Sequence, residues 1–109
     1  MITPTELLTL ATRIEAAKEG SRELDFEIYE AVTGVVPLSI EGGVPEYTTS
    51  LDAAISAIRE GCGWSVGVDN DRPVALVSRD EGSDHHIWIS RAATPQLAVV
   101  AASLKERAG

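Results

Sequence analysis

Apolar positions change their period partway along this chain. Between Pro4 and Thr33 they recur every three or four residues, and between Trp64 and Ser90 they alternate with polar ones. The first spacing paints one stripe on a helix, and the second paints one face of a strand.

Thr3-Pro4-Thr5-Glu6 supplies a cap, a proline at the first helical position and a glutamate three residues after the cap. It predicts a helix over 4–19 with Leu7, Leu10, Ala11, Ile14 and Ala17 inward, stopped by Gly20 in a left-handed conformation. Ser21 caps a second helix over 22–33, with Leu24, Ile28, Ala31 and Val32 inward and Gly34 at its end. These two helices are expected to form a short antiparallel pair. Residues 35–46, with two prolines and a glycine pair, predict an ordered crossing loop. Thr49 or Ser50 caps a third helix, placing Leu51, Ala54, Ile55 and Ile58 inward and Gly61 at its end.

Three strands follow, at Trp64–Val68, Val74–Arg79 and His85–Ser90, joined by the polar turns Asp69-Asn70-Asp71-Arg72 and Asp80-Glu81-Gly82-Ser83-Asp84. Thr94-Pro95 repeats the opening of the first helix. Leu97, Val100, Ala101 and Leu104 form the stripe of a last helix that ends near Arg107. The order ααα-βββ-α groups the strands instead of alternating them with helices. It predicts one α+β domain over 1–109, a layered sandwich in which four helices pack with a three-stranded antiparallel meander.

A chain of 109 residues, 44% hydrophobic, has material for one core. Its apolar runs are shorter than the roughly 18 residues of a membrane span, and residues 1–6 do not read as a secretory signal. The lone cysteine, Cys62, rules out an intramolecular disulfide and fits a reducing compartment, so a cytoplasmic location is expected. A net charge of −8 argues against direct binding to a nucleic-acid backbone. Residues 1–61 hold 11 Asp/Glu against 4 Lys/Arg, and residues 62–109 hold 6 against 5, so the acidity belongs to the first half.

Four segments, Ser21-Arg22-Glu23-Leu24-Asp25, Tyr47-Thr48-Thr49-Ser50-Leu51-Asp52-Ala53-Ala54, Gly63-Trp64-Ser65-Val66 and Ala93-Thr94-Pro95-Gln96-Leu97-Ala98, resemble in order and spacing small phage and prophage proteins of the phage ABA-sandwich type. The resemblance spans about residues 6 to 107. It implies a sheet sandwiched by helices, an origin in a tailed phage or prophage, and a location in the bacterial host cytoplasm. It brings no catalytic motif.

The residues that invite chemistry have simpler readings. Gly61-Cys62-Gly63 follows a helix and precedes a strand, the reverse of a phosphate cradle. Cys62 has no neighbouring base in sequence to make it a nucleophile. His85 and His86 are adjacent on a strand and point to opposite faces, so they do not share a metal ion. Asp69-Asn70-Asp71 has Val74 where a calcium loop needs glycine. No metal, cofactor or catalytic residue is therefore assigned.

Two binding surfaces are predicted. If Trp64, Val66, Val68, Ile87 and Ile89 face the helices, then Ser65, Gly67, His86, Trp88 and Ser90, with Arg79 near the edge, form a shelf on the other face. Such a shelf suits a planar anionic ligand, unless a further helix layer or a second subunit covers it. Glu23, Glu27 and Glu30 form an acidic patch on helix two, a solvated face or, in the sharper reading, a DNA mimic. The expectation is a non-catalytic phage-encoded protein that acts by occupying a host component, either a defence effector protein or a small signalling nucleotide. The alternatives are an acidic DNA-mimic inhibitor and an oligomeric assembly subunit, in which Ala98, Ala101 and Ala102 allow close helix approach within or between chains.

Overall fold

Helix α4, Pro95–Ala108, is the hub of the fold in the computed structural model, which describes residues 2–35 and 43–109. Leu97 through Leu104 are buried without interruption, and so is Glu106. A helix apolar all round has to be surrounded. One side of α4 lies across strands β2, Arg72–Glu81, and β3, Asp84–Arg91, while another receives α1, Pro4–Ala16. The short α3, Leu51–Ser56, packs against α4 as well, and α2, Arg22–Thr33, joins the edge of α1. The small residues Ala98, Ala101 and Ala102 are consumed inside the chain.

The α+β layout and the order ααα-βββ-α are as the sequence predicts. Strand β1, Gly63–Asp69, pairs with β2 and β2 with β3, both antiparallel, in the order β1-β2-β3. Among the described residues all four helices lie on one side of this sheet, whereas the phage-protein resemblance implies helices on both.

Each helix starts where its cap requires. The side-chain oxygens of Thr3, Ser21, Ser50 and Thr94 accept hydrogen bonds from the amides of Glu6, Leu24, Ala53 and Leu97. The ends differ more from expectation. Helix α1 stops at Ala16, three residues early, because Ala17 is extended. Gly20 is not left-handed; a Cβ there would lie 2.3 Å from the Thr48 carbonyl oxygen, so its role is to let two backbones touch. Gly34 does end α2 in a left-handed conformation, φ 77°. The third helix ends at Ser56, and the amides of Ala57 and Ile58 bond three residues back as the turn tightens. The expected α1–α2 pair is slight, since the main partner of α1 is α4. Residues 36–42 of the predicted crossing loop lie outside the described residues.

Both hairpins use two-residue turns. Asn70 and Asp71 both have positive φ, the type I′ pattern, and Gly82 alone does in the Gly82-Ser83 turn, the type II′ pattern. Turns this tight fix register, and register fixes which face every side chain takes. Val77 lies between Trp64 and Trp88, Ala75 between Val66 and Ser90, and Arg79 opposite His86. That set faces α4. Ser65, Leu76 and Ile89 form a row on the opposite face, as do Gly63, Ser78 and Ile87. The predicted phase of β3 is thus reversed: Trp88, not Ile87 and Ile89, points to the helices. Both phases of His85–Ser90 alternate, and apolarity alone favours the two isoleucines. The structure instead uses the second phase, setting small Ala75 and Ser90 and the broad Trp88 beneath the helical layer.

Candidate functional site

The residues of the predicted shelf separate. Arg79, His86, Trp88 and Ser90 share the helix-facing side, while Ser65 is on the other. Ser90 is 1% exposed and its hydroxyl has no hydrogen-bond partner among the described residues. The other three form a compact cluster. The Arg79 guanidinium lies 5.2 Å from the Trp88 ring centroid, and the His86 ring stacks on Trp88 at 5.8 Å. Gly109, at the end of α4, sits where a Cβ would come 2.9 Å from the indole.

At the centre of this cluster is a residue that sequence reasoning missed. Glu106 on α4 is 1% exposed, and its carboxylate accepts from Arg59 Nε at 2.9 Å, from Arg59 Nη2 and from Arg79 Nη1. Arg79 Nε also pairs with Glu81 at 2.7 Å. Burial alone pushes the Glu106 carboxyl up, but the Arg59 hydrogen bond and the charges of Arg59, Arg79 and Arg107 outweigh it and hold the carboxyl below its ordinary range. The neighbouring Cys62 thiol is raised, by burial first and then by the charge of Glu106, which leaves it a poor nucleophile. Glu106 is thus committed to Arg59 and Arg79, while Arg79 Nε, close to Glu81 as an ion pair, makes no aligned hydrogen bond among the described residues. The one signal for it in the sequence was the apolar run Leu97–Ala102 with Leu104, which implies a surrounded helix whose following turn also meets the rest of the fold.

A second buried carboxylate organises the first half of the chain. Asp25, fully buried on α2, accepts from the Thr48 amide at 2.9 Å and the Thr48 hydroxyl at 2.7 Å, and pairs with Arg22 at 2.9 Å. The same hydroxyl accepts from the amide of Ser21 at 2.9 Å. This is a structural clasp without free valence.

The acidic patch is partly neutralised. Glu27 and Arg13 of α1 form a bidentate pair at 2.7 and 2.9 Å, while Glu23 and Glu30 remain exposed. Glu27 and Glu30 line a groove of about 360 Å³ between α1 and α2, together with Glu6, Thr9, Leu10 and Arg13.

The face with uncommitted surface is the outer side of the sheet. Ile87 and Ile89 are 49% and 45% exposed there. Leu76, Val74 and Ile89 surround a shallow depression of about 350 Å³, floored by Ser65 and Gly67, where β1 has little or no side chain. The Arg91–Asp69 pair at 2.9 Å lies at one end of the depression, and His85 beside Asp80 lies at the far end of the same face, beyond Ile87. Among the described residues no group of three or more metal-ligating side chains comes together and no helix is long and apolar enough to cross a membrane. Comparison with protein-family models, with curated proteins and with solved structures finds no match to this chain.

Proposed function

We propose that this protein is a non-catalytic binding protein that acts by occupying another protein, and that it does so through the outer face of the sheet. The observation that carries the reading is the aliphatic cluster of Leu76, Ile87 and Ile89, whose two isoleucines are about half open to solvent, with charged residues at the two ends of the face. An exposed aliphatic centre with a polar rim is the anatomy of a protein-binding patch. The geometry favours a protein over a signalling nucleotide, because Trp88 and Arg79, which would stack on and neutralise a nucleotide, are engaged with His86 and Glu106 on the helix side. The resemblance to phage proteins supports a phage-encoded factor working in the bacterial cytoplasm on a host protein, with an assembly role as the alternative.

The test compares wild-type protein with Ile87→Glu/Ile89→Glu as bait in host lysate, with Glu23→Lys as a surface control. Support requires a partner retained by wild type and the control, lost with the double variant, and reproduced with purified components. If every retained protein binds the double variant equally, the outer face is not the site.

A further inference from the structure

The two edges of the sheet are treated differently. Along β3 the sequence places Asp84, His85, His86 and Arg91, and Lys105 of α4 reaches over to donate to the Ile89 carbonyl at 2.8 Å. Charges and a covering lysine are how proteins keep an edge strand from pairing. Strand β1 has no such protection. Its sequence, Gly63-Trp64-Ser65-Val66-Gly67-Val68-Asp69, carries one charge, at its last position and already paired with Arg91. Helix α4 lies mainly over β2 and β3, so of the helix-facing side chains of β1 only Val66 packs on the core and Trp64 and Val68 stay open. Trp64 is 46% exposed and Val68 71%, although both point to the side that the rest of the sheet buries.

From this we infer that β1 pairs antiparallel with β1 of a second copy of the chain, joining two sheets into one of six strands. One antiparallel register matches all seven residues, and it is symmetric about Val66. It sets Trp64 against the partner copy's Val68 twice and Val66 against itself, all on the helix side. An aromatic ring beside a β-branched residue is among the better cross-strand pairs. On the outer side it sets Ser65 against Gly67, so nothing bulky collides, and a Cβ built on Gly67 meets no atom within 4 Å. Asp69 falls opposite Gly63, so no like charges face each other across the seam. The two exposed apolar residues of the strand thus cover one another in the register that gives the longest overlap.

The area sets the strength. Seven residues present an edge of roughly 23 Å, at about 3.3 Å per residue, a strip one strand wide that covers less surface than the standard interface of about 1,600 Å². Each copy also carries a net charge of −8. The pair is therefore concentration-dependent, and it tightens with salt as repulsion between the copies is screened. Its two-fold axis stands perpendicular to the sheet, so both outer faces point the same way and adjoin. The pairing does not depend on the proposed function, since it uses the β1 edge and leaves Leu76, Ile87 and Ile89 free.

Sedimentation equilibrium from 20 μM to 1 mM, with NMR on a mixture of differently labelled chains, tests this. The expected result is an average mass that climbs toward twice the monomer, several-fold tighter association at 200 mM than at 20 mM salt, and intermolecular contacts between the Trp64 indole and the Val68 methyls. Val68→Lys, at a site 71% exposed and so compatible with folding, should weaken association at least tenfold while Ile89→Lys leaves it unchanged. A monomer at 1 mM overturns the inference, and so does association that survives Val68→Lys or is lost with Ile89→Lys. Lysate partners that bind the Ile87→Glu/Ile89→Glu variant as well as wild type, with self-association intact, would count against the outer-face reading alone.

Discussion

Thr48 and Asp25, 23 residues apart, are joined by two hydrogen bonds to one carboxylate oxygen, one from the Thr48 amide and one from its hydroxyl, in a fully enclosed setting. That contact docks the turn before α3 onto the start of α2. Removing the carboxylate leaves the buried Thr48 amide without its acceptor, and removing the Thr48 hydroxyl takes one donor from Asp25 and the acceptor from the Ser21 amide, which costs more than the bonds themselves contribute. Thr48→Ala is expected to destabilise by about 2 kcal/mol and Asp25→Ala by about 3 kcal/mol. The double variant should lose clearly less than the sum, because the two residues act as a unit. Urea unfolding of the four proteins measures this, and strict additivity would contradict the clasp.

Glu106 should make stability fall in acid. Its folded-state carboxyl is held below the ordinary value of about 4.3. A depressed pKa contributes stability that is present above the unfolded value and lost as pH drops through the folded one. Glu106→Gln is expected to cost about 2 kcal/mol or more at neutral pH, since Arg59 and Arg79 then face each other without their shared anion. The gap between wild type and variant should narrow from pH 5 to pH 3. A gap constant over that range would show that the carboxylate charge is not the stabilising element.

The same cluster governs Cys62. With burial and the nearby Glu106 charge both raising its pKa, the thiol should react with iodoacetamide at pH 8 several-fold more slowly than an unstructured cysteine. Glu106→Gln removes one raising influence and leaves Arg59 and Arg79, which lower it, so alkylation should accelerate. Equal rates in the two folded proteins would mean that accessibility, not charge, sets the reactivity.

Ser90 presents the opposite case, a buried hydroxyl with no partner among the described residues. Replacing it with alanine removes a desolvated polar group and loses no hydrogen bond. Ser90→Ala should leave stability unchanged or raise it by about 0.5 to 1 kcal/mol in thermal unfolding. A loss of more than 1 kcal/mol would reveal a bond that this hydroxyl makes.

The element order was legible because this chain punctuates its helices with side chains whose effect is local. Thr3, Ser21, Ser50 and Thr94 bond amides three residues away, and no distant contact can overrule them. What depends on tertiary pairing was not legible. The phase of β3 rests on whether Trp88 or Ile89 lies beside the helix-facing residues of β2, and the Gly82-Ser83 turn settles that through register. Because that phase was reversed, the predicted shelf split across two faces. Asp25 and Glu106 were invisible for a related reason: charged residues belong outside by default, and only the approach of Thr48, Arg59 and Arg79 from far along the chain makes their burial tolerable. The acidic surface of α2 was readable as composition, but the Arg13 pairing that blunts it joins two helices and has no signature in either.

The central position of α4 carries a consequence for synthesis. During translation α1, α2 and all three strands are synthesised before residues 95–108, so the apolar stripe of α1 emerges before the helix on which it closes. Folding therefore depends on contacts between α1 and α4, which are far apart in sequence; this slows it and lengthens the interval in which a chaperone can engage.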